Sequence, residues 1–129
     1  MIKNLFIIVA LMITLAANSQ SRLNYKAQYI FDEFKEDSIV YKRDPDGGLY
    51  LLFYPDPNVS VQYFFNPDSV CTSVLICTQT QEMTDFIINN YTRKGYLKVD
   101  DGWLMRDNDI IFKVIHFINE EGFNMFYWY

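Results

Sequence analysis

The residue types that most often carry catalysis are sparse in this 129-residue chain. There is one histidine, His116, inside an apolar stretch, and there are two cysteines, Cys71 and Cys77. A serine nucleophile would need His116 as its general base, yet no serine lies in a nucleophile-elbow motif. A cysteine nucleophile needs a stabilised thiolate, and neither cysteine lies at a helix start. We therefore predict no catalytic residues and a non-enzymatic protein; the alternative is an enzyme that pairs His116 with a cysteine or carboxylate across a sheet.

Carboxylates are numerous, but their spacing is typical of turns. Two Asp-x-Asp motifs, which begin at Asp44 and Asp107, resemble the start of a calcium loop, but the twelfth positions hold Pro55 and Ile118 instead of a carboxylate. One histidine and two cysteines fall short of a four-ligand zinc set. The paired acids needed for glycoside hydrolysis lie in turns or on a helix surface. The sequence therefore predicts no metal site and no cofactor.

The two cysteines bound the segment CTSVLIC, which is predicted to be one continuous strand. Six residues at about 3.3 Å each separate the ends of such a strand by roughly 20 Å. A disulfide needs Cα atoms within about 7 Å of each other. We therefore predict two thiols that do not pair within the chain and that serve as small buried apolar residues.

The N-terminal segment is typical of a secretory signal peptide. Lys3 gives a positive start, and an apolar run of 13 residues from Leu5 to Ala17 follows, whereas a bilayer-spanning helix needs about 20. We predict a signal peptide over residues 1–19, cleaved near Ser19, with an uncleaved membrane anchor as the alternative. The chain resembles small envelope proteins of Gram-negative bacteria in composition. It is expected in the periplasm or secreted, and to touch a membrane only through the signal peptide.

Residues 20–129 are predicted to form a single α+β domain with an acidic charge balance. Removal of residues 1–19 leaves ten basic and 16 acidic residues, a net charge of −6. The basic residues are scattered, whereas a nucleic-acid-binding protein needs a basic face that releases counterions from phosphates. We expect no nucleic-acid partner.

Hydrophobic periodicity and turn residues predict two helices and a series of short strands. The first helix is predicted over residues 23–36 with Ser21 as its cap, and the second over residues 78–95, with a Thr78–Gln81 capping box and Gly95 at its end. The predicted strands are 38–42, 49–54, 59–65, 70–78, 96–99, 103–106, 110–118 and 123–129.

These elements predict an antiparallel sheet of seven to eight short strands with two helices packed on one face. A helix followed by three or four strands occurs twice along the chain. The repeat is interpreted as a duplicated α-β(3-4) unit or as coincidence, and residue identity between the halves does not decide between them.

The last two predicted strands are apolar on both of their faces, which is unusual for an antiparallel sheet with one wet side. The C-terminal strand reads FNMFYWY, in which Asn124, Phe126 and Trp128 form one face and alternate with Phe123, Met125, Tyr127 and Tyr129 on the other. Either these strands are central and covered on both sides, or one face is an exposed aromatic patch that binds a partner. On the second interpretation the predicted binding residues are Trp128, Phe126, Asn124, Phe117, Trp103 and Tyr54.

The function predicted from these patterns is that of an exported, non-enzymatic binding or adaptor domain that contacts a protein through its aromatic sheet face. The alternative is a small-ligand binding protein for a glycan. In that case Trp128 and Trp103 would stack on sugar faces, and Asn124 would supply hydrogen bonds. The partner, whether protein or glycan, is not identified by the sequence.

Overall fold

The computed structural model describes residues 22–107 and 109–129, and their architecture confirms the predicted α+β fold. Eight antiparallel strands form one open sheet, and two helices pack on one of its faces. The predicted signal peptide lies outside the described residues. The helices are α1 (Ala27–Phe34, extended by a 3-10 turn, Lys35–Asp37) and α2 (Gln81–Arg93); the strands are β1 (Val40–Arg43), β2 (Leu49–Asp56), β3 (Val59–Phe65), β4 (Cys71–Thr78), β5 (Leu97–Val99), β6 (Gly102–Asp107), β7 (Ile110–Ile118) and β8 (Asn124–Trp128).

The strand order, β1-β2-β3-β4-β8-β7-β6-β5, joins two four-stranded meanders at their last strands. Each meander follows one helix, and the central pair β4–β8 brings Val74 opposite Trp128 and Ile76 opposite Phe126. The connectivity of the two halves is therefore the same, while a common origin of the halves stays a prediction. In the part of the chain that the structure describes, no helix is both long and apolar enough to cross a membrane.

Helix α1 begins four residues later than its apolar spacing predicted. The preceding segment is tied to the start of β4 instead, because Asn24 N donates to Cys71 O (2.7 Å) and Cys71 N donates to Tyr25 O (2.7 Å). Asn24 adopts a left-handed conformation (φ 73°), which a helical residue cannot have. The predicted cap, Ser21, lies outside the described residues.

Helix α2 matches its prediction except at the N-cap, which is Thr80 and not Thr78. The Thr80 side chain accepts a hydrogen bond from Met83 N (3.3 Å). Thr78 instead ends β4, and its hydroxyl lies 2.6 Å from the Thr84 hydroxyl in a buried pair. Gly95 has φ 77° just after the helix, which confirms the predicted left-handed end.

Strand β4 carries both cysteines, and both are free thiols, as the strand geometry predicted. Strand β2 was predicted to end at Tyr54 because of the prolines that follow. It continues to Asp56 through an irregularity between Phe53 and Asp56. A bulge of this kind lets a strand carry a proline without loss of the pairing beyond it.

The hydrophobic core lies between the sheet and the two helices, and each helix covers its own meander. Phe34 of α1 stacks on Phe53 of β2, with ring centroids 5.1 Å apart. Tyr91 of α2 packs edge-on against Trp128 of β8 at 5.5 Å. The buried side chains that the strands contribute include Leu51, Phe53, Val59, Val61, Tyr63, Val74, Ile76, Trp103, Met105, Phe112, Val114, Phe126 and Trp128.

Candidate functional site

Three of the six predicted binding residues belong to the core and are not accessible. The relative exposure of Trp128 and Phe126 is 0%, and that of Trp103 is 3%. These side chains point toward the helices, because the register aligns Trp128 with Val74 and Val114. The core interpretation of the C-terminal strand is therefore correct for its even-numbered residues, and the interpretation of Trp128, Phe126 and Trp103 as exposed is wrong.

Tyr91 explains why the two indoles are held inside. Its hydroxyl accepts a hydrogen bond from Trp128 Nε1 at 3.0 Å, which satisfies the polar atom of a fully buried indole. Burial raises the pKa of the Tyr91 hydroxyl, and the bond from Trp128 offsets this in part. Trp103 packs against the same ring at 5.2 Å, and Lys98 Nζ lies 4.8 Å from its centroid. The aromatic residues thus form a packed cluster and not a platform.

Asn124 is half-buried and is engaged with the histidine. His116 Nε2 lies 2.8 Å from Asn124 Oδ1, and the imidazole stacks on Phe126 with ring centroids 4.7 Å apart. Cys77 pairs with Met125, so its side chain lies on the other face of the sheet from His116, which pairs with Phe126. The predicted alternative of a Cys–His pair is therefore not formed with Cys77. Asn124 positions His116 instead of facing solvent as a ligand for sugars.

Phe117 and Tyr54 are the predicted binding residues that are accessible, with relative exposures of 43% and 57%. Phe117 pairs with Met125 on the sheet surface opposite the helices. The prediction placed Phe117 on one face with Phe126 and Trp128, and this is wrong because the register places them on opposite faces. The side of the two C-terminal strands that faces away from the helices therefore carries Phe117 and the odd-numbered residues of β8.

This surface, which we call the open face, is an apolar side of the sheet that no helix in residues 22–107 and 109–129 covers. A single row crosses it from β2 to β7, because Leu52 pairs with Gln62, Gln62 with Leu75, Leu75 with Tyr127, and Tyr127 with Ile115. The apolar side chains that define the open face are Val40, Tyr50, Leu52, Phe64, Leu75, Leu97, Leu104, Ile111, Ile115, Phe117, Met125 and Tyr127.

The open face holds few groups with chemistry of their own. Cys77 is half-buried there, and burial raises the pKa of its thiol, an effect that the nearby Glu121 charge increases. Cys71, in the core, has a thiol pKa raised to about 12 by burial. Both shifts keep the thiols protonated near neutral pH. Within the described residues, no group of three or more His, Cys, Asp or Glu side chains lies together as a metal site.

Known proteins do not supply a functional class for this arrangement. No family model, curated protein or solved structure matches the chain. The open face is the candidate site because it is an apolar sheet surface that no helix in the described residues covers.

Proposed function

We propose that this protein is an exported binding domain that contacts a partner protein through the open face. The observation that carries the proposal is the row from Leu52 to Ile115, which is apolar at four of its five positions and lies on the uncovered side of the sheet. An antiparallel sheet with one face in water normally has polar side chains on that face. The open face therefore has the composition expected of a surface that a bound partner covers.

The exposed apolar side chains add weight to this face. Val40, Leu97, Ile111 and Phe117 lie on it with 42%, 64%, 64% and 43% of their surface exposed. Half-buried aromatic pairs accompany them, such as Tyr50 on Phe64 with centroids 5.6 Å apart. Large contiguous apolar patches on soluble proteins usually mark interaction surfaces.

The other parts of the proposal rest on separate observations. Export rests on the N-terminal sequence, whose apolar run and small residues are typical of a signal peptide. A non-enzymatic role is supported by the state of the candidate nucleophiles and base. The Cys71 and Cys77 thiols have raised pKa values, and the His116 ring is held by Asn124 and Phe126.

We do not propose a glycan-binding role, because the side chains that would stack on a sugar ring are not accessible. Its stacking residues were Trp128 and Trp103, which are both of the tryptophans in the chain. Both indoles are buried under α2 and are not available to a sugar ring. Asn124, the proposed hydrogen-bonding group, is engaged with His116.

Position-specific photocrosslinking tests the proposed function. A benzophenone amino acid replaces either Phe117, on the open face, or Tyr29, an aromatic residue of α1 with 62% exposure, in the cells that produce the protein. We expect a discrete protein adduct from position 117 and none from position 29. Introduction of Leu75→Lys at the centre of the open face should remove the adduct. No adduct at position 117, or the same adducts at both positions, would contradict the proposal.

A further inference from the structure

We propose that the partner of the open face is a second copy of this chain, and that two copies stack their sheets face to face. This inference rests on the proposed function and names the partner that the open face binds. The product is a four-layer dimer with the two sheets inside and the helices outside. The inference is carried by the uncharged centre of the open face, by its area and by the charges of both signs at its border.

The centre of the open face carries no charged side chain. Strands β3, β4 and β8, which lie in the middle of the sheet order, read VSVQYFF, CTSVLICT and NMFYW and contain no Asp, Glu, Lys or Arg. A second row of paired residues runs beside the row from Leu52 to Ile115. Its members are Ser60, Cys77, Met125 and Phe117. Together the two rows form an uncharged and largely apolar band across β3, β4, β8 and β7.

An uncharged, apolar centre is typical of the interface between two identical subunits. Homodimer interfaces are more apolar than the rest of the protein surface, and charged residues are depleted at their centre. Interfaces with transient partners are about as polar as the surface around them. A two-fold contact also places the same patch on both copies, so that an apolar centre meets an apolar centre. The open face therefore has the composition of a homodimer interface.

The open face is large enough for a stable dimer. The eight strands leave seven intervals, which at about 4.8 Å each span roughly 34 Å. Along β7 the face extends from Ile111 to Phe117, and these six steps at about 3.3 Å give roughly 20 Å. Two faces of this extent in contact remove roughly 1,400 Å² from water, and specific protein interfaces bury about 1,200–2,000 Å². The area therefore suffices for a specific dimer.

The charges at the border of the open face are of both signs and do not oppose a contact between two copies. Lys42 lies on the face in β1, and Asp44 and Asp46 follow in the adjoining turn. Lys113 of β7 is paired with Asp101, with Nζ and Oδ1 3.4 Å apart. Exposed pairs of this kind contribute little to binding energy. The border therefore does not select a partner of one charge, and the apolar area determines what binds.

Two stacked open faces have the geometry of a β-sandwich. Sheets that share the native right-handed twist pack with their strands about 30° apart and their inner side chains interdigitated, in a layer about 10 Å thick. The central pair β4–β8 lies in the middle of such a layer, with Leu75 opposite Tyr127 in each sheet. The half-buried Cys77 thiol, in the same pair of strands, is then covered by the second copy.

A lipid surface fits the open face less well than a second copy does. Protein surfaces that lie on membranes typically combine clustered Lys and Arg residues with Trp side chains. Both indoles of this chain, Trp103 and Trp128, are buried on the helix side of the sheet. The basic groups of the open face are few, and Lys113 among them is paired with an acid.

The first test is the mass of the mature protein, purified from the cells that produce it, by sedimentation velocity from 1 to 100 µM. In about 0.15 M salt, which screens the net charge of the copies, we expect a concentration-dependent dimer. Leu75→Lys places a charge in the apolar layer and should raise the dissociation constant about tenfold or more. If this variant does not fold by circular dichroism, Phe117→Lys at a 43% exposed position of the open face replaces it.

Ile118→Lys is the matched control for both variants. Ile118 is 65% exposed and pairs with Asn124, so that it lies on the helix side of β7. The same kind of substitution at this position should change the dissociation constant less than threefold. Equal weakening by the control and by the open-face variant would overturn the inference.

The reactivity of Cys77 distinguishes a face-to-face dimer from one that joins the sheets through their edge strands. Cys77 is half-buried on the open face, whereas Cys71 is buried in the core. Alkylation of Cys77 by N-ethylmaleimide should slow about tenfold or more when the protein concentration is raised from below to above the dissociation constant, because the reaction needs access to the thiol. An unchanged rate in a protein that dimerises would overturn the stacking of open faces.

Photocrosslinking in cells separates this inference from the proposed function. When two differently tagged copies are produced together, the adduct from position 117 should contain both tags. An adduct with a different protein, combined with a monomer at 100 µM, would overturn the second copy and leave the proposed function standing. A monomer that gives no adduct would overturn both. Cosedimentation with vesicles of phosphatidylcholine and phosphatidylglycerol (3:1) that Leu75→Lys abolishes would replace the second copy with a lipid surface.

Discussion

At the scale of single residues, Tyr91 has the clearest role, because the buried aromatic cluster converges on its ring. Its neighbours Trp103, Phe126 and Trp128 come from two strands of the second meander, and all three contact the ring edge-on within 6 Å. Edge-to-face contacts of this kind stabilise a core beyond the area that they bury. The Tyr91 hydroxyl also accepts the hydrogen bond of the buried Trp128 indole N–H, so one side chain both fills the core and pairs its polar group.

Tyr91→Phe should therefore destabilise the protein with little change in packing. The substitution leaves the buried Trp128 N–H without an acceptor, which costs about 1–3 kcal/mol of unfolding free energy. Urea denaturation followed by circular dichroism measures the loss. Tyr29→Phe, at an exposed position, is the control and should stay within about 0.5 kcal/mol of the wild type. Equal stabilities for both variants would show that the hydrogen bond is not made.

The buried Cys71 thiol predicts a loss of stability in alkaline solution. Its pKa is raised from 9.0 to about 12 in the folded protein, so the unfolded chain releases this proton first as pH rises. Above pH 9 the unfolding free energy should fall by up to about 1.4 kcal/mol per pH unit from this group, until pH reaches the folded pKa. Cys71→Ala should flatten the pH dependence of stability, most visibly between pH 9 and 10, before the tyrosines of the unfolded chain ionise. Parallel curves for the two proteins would contradict this.

Predictions about single residues were correct where the spacing along the chain decides the outcome. They failed where both faces of a strand are apolar, because the sequence then does not show which face is buried. The separation of the two cysteines could be read directly from their spacing along one strand. The assignment of Trp128 to a face could not. In β8 both parities are apolar, since Phe126 and Trp128 alternate with Met125 and Tyr127. Only the pairing partner decides which set faces the helices.

At the scale of elements, the β6–β7 hairpin depends on a close backbone approach at Gly102. A Cβ atom at this position would lie 1.7 Å from Val114 O, which is far inside contact distance. His116 N donates to Asp101 O at 2.8 Å beside it, so the two strands cannot separate without loss of that bond. The glycine is required by the space between the strands and not by its backbone angles.

Gly102→Ala should accordingly lower the free energy of unfolding more than alanine does at a glycine whose only special feature is a positive φ. We expect a loss of about 3 kcal/mol or more in unfolding free energy, since the backbone of β6 must shift. Gly122→Ala, in an open turn with φ 84°, is the comparison and should cost about 1–2 kcal/mol. Chemical denaturation of both variants measures the difference. A smaller cost at Gly102 would mean that the β6–β7 register differs from the one described.

Element boundaries followed the sequence where local signals act alone. Strands β3 and β7 have their predicted limits, and Gly95 follows the end of α2 in the predicted left-handed conformation. Helix α1 was predicted too long because Leu23 has helical spacing. Its backbone neighbours pair with Cys71, a contact across almost fifty residues that no local pattern contains. The N-cap of α2 is Thr80 and not the predicted Thr78 for a similar reason, because Thr78 is the last residue of β4.

At the scale of the whole molecule, the fold class could be predicted but the functional surface could not. Runs of strands divided by helices indicate an α+β sheet with helices on one face, and the structure has that architecture. The location of the open face depends on the joining of β4 to β8, which relates residues about fifty positions apart.

The fluorescence of Trp128 in a Trp103→Phe variant that retains a cooperative melting transition tests most directly which face of the sheet is open. If the open face is the side of Met125 and Tyr127, Trp128 is sealed beneath α2. Its emission maximum should then be blue-shifted, and iodide should quench it only after denaturation. A red-shifted emission that iodide quenches in the folded protein would place Trp128 in solvent. That result would contradict the register of β8 and, with it, the binding surface proposed for this protein.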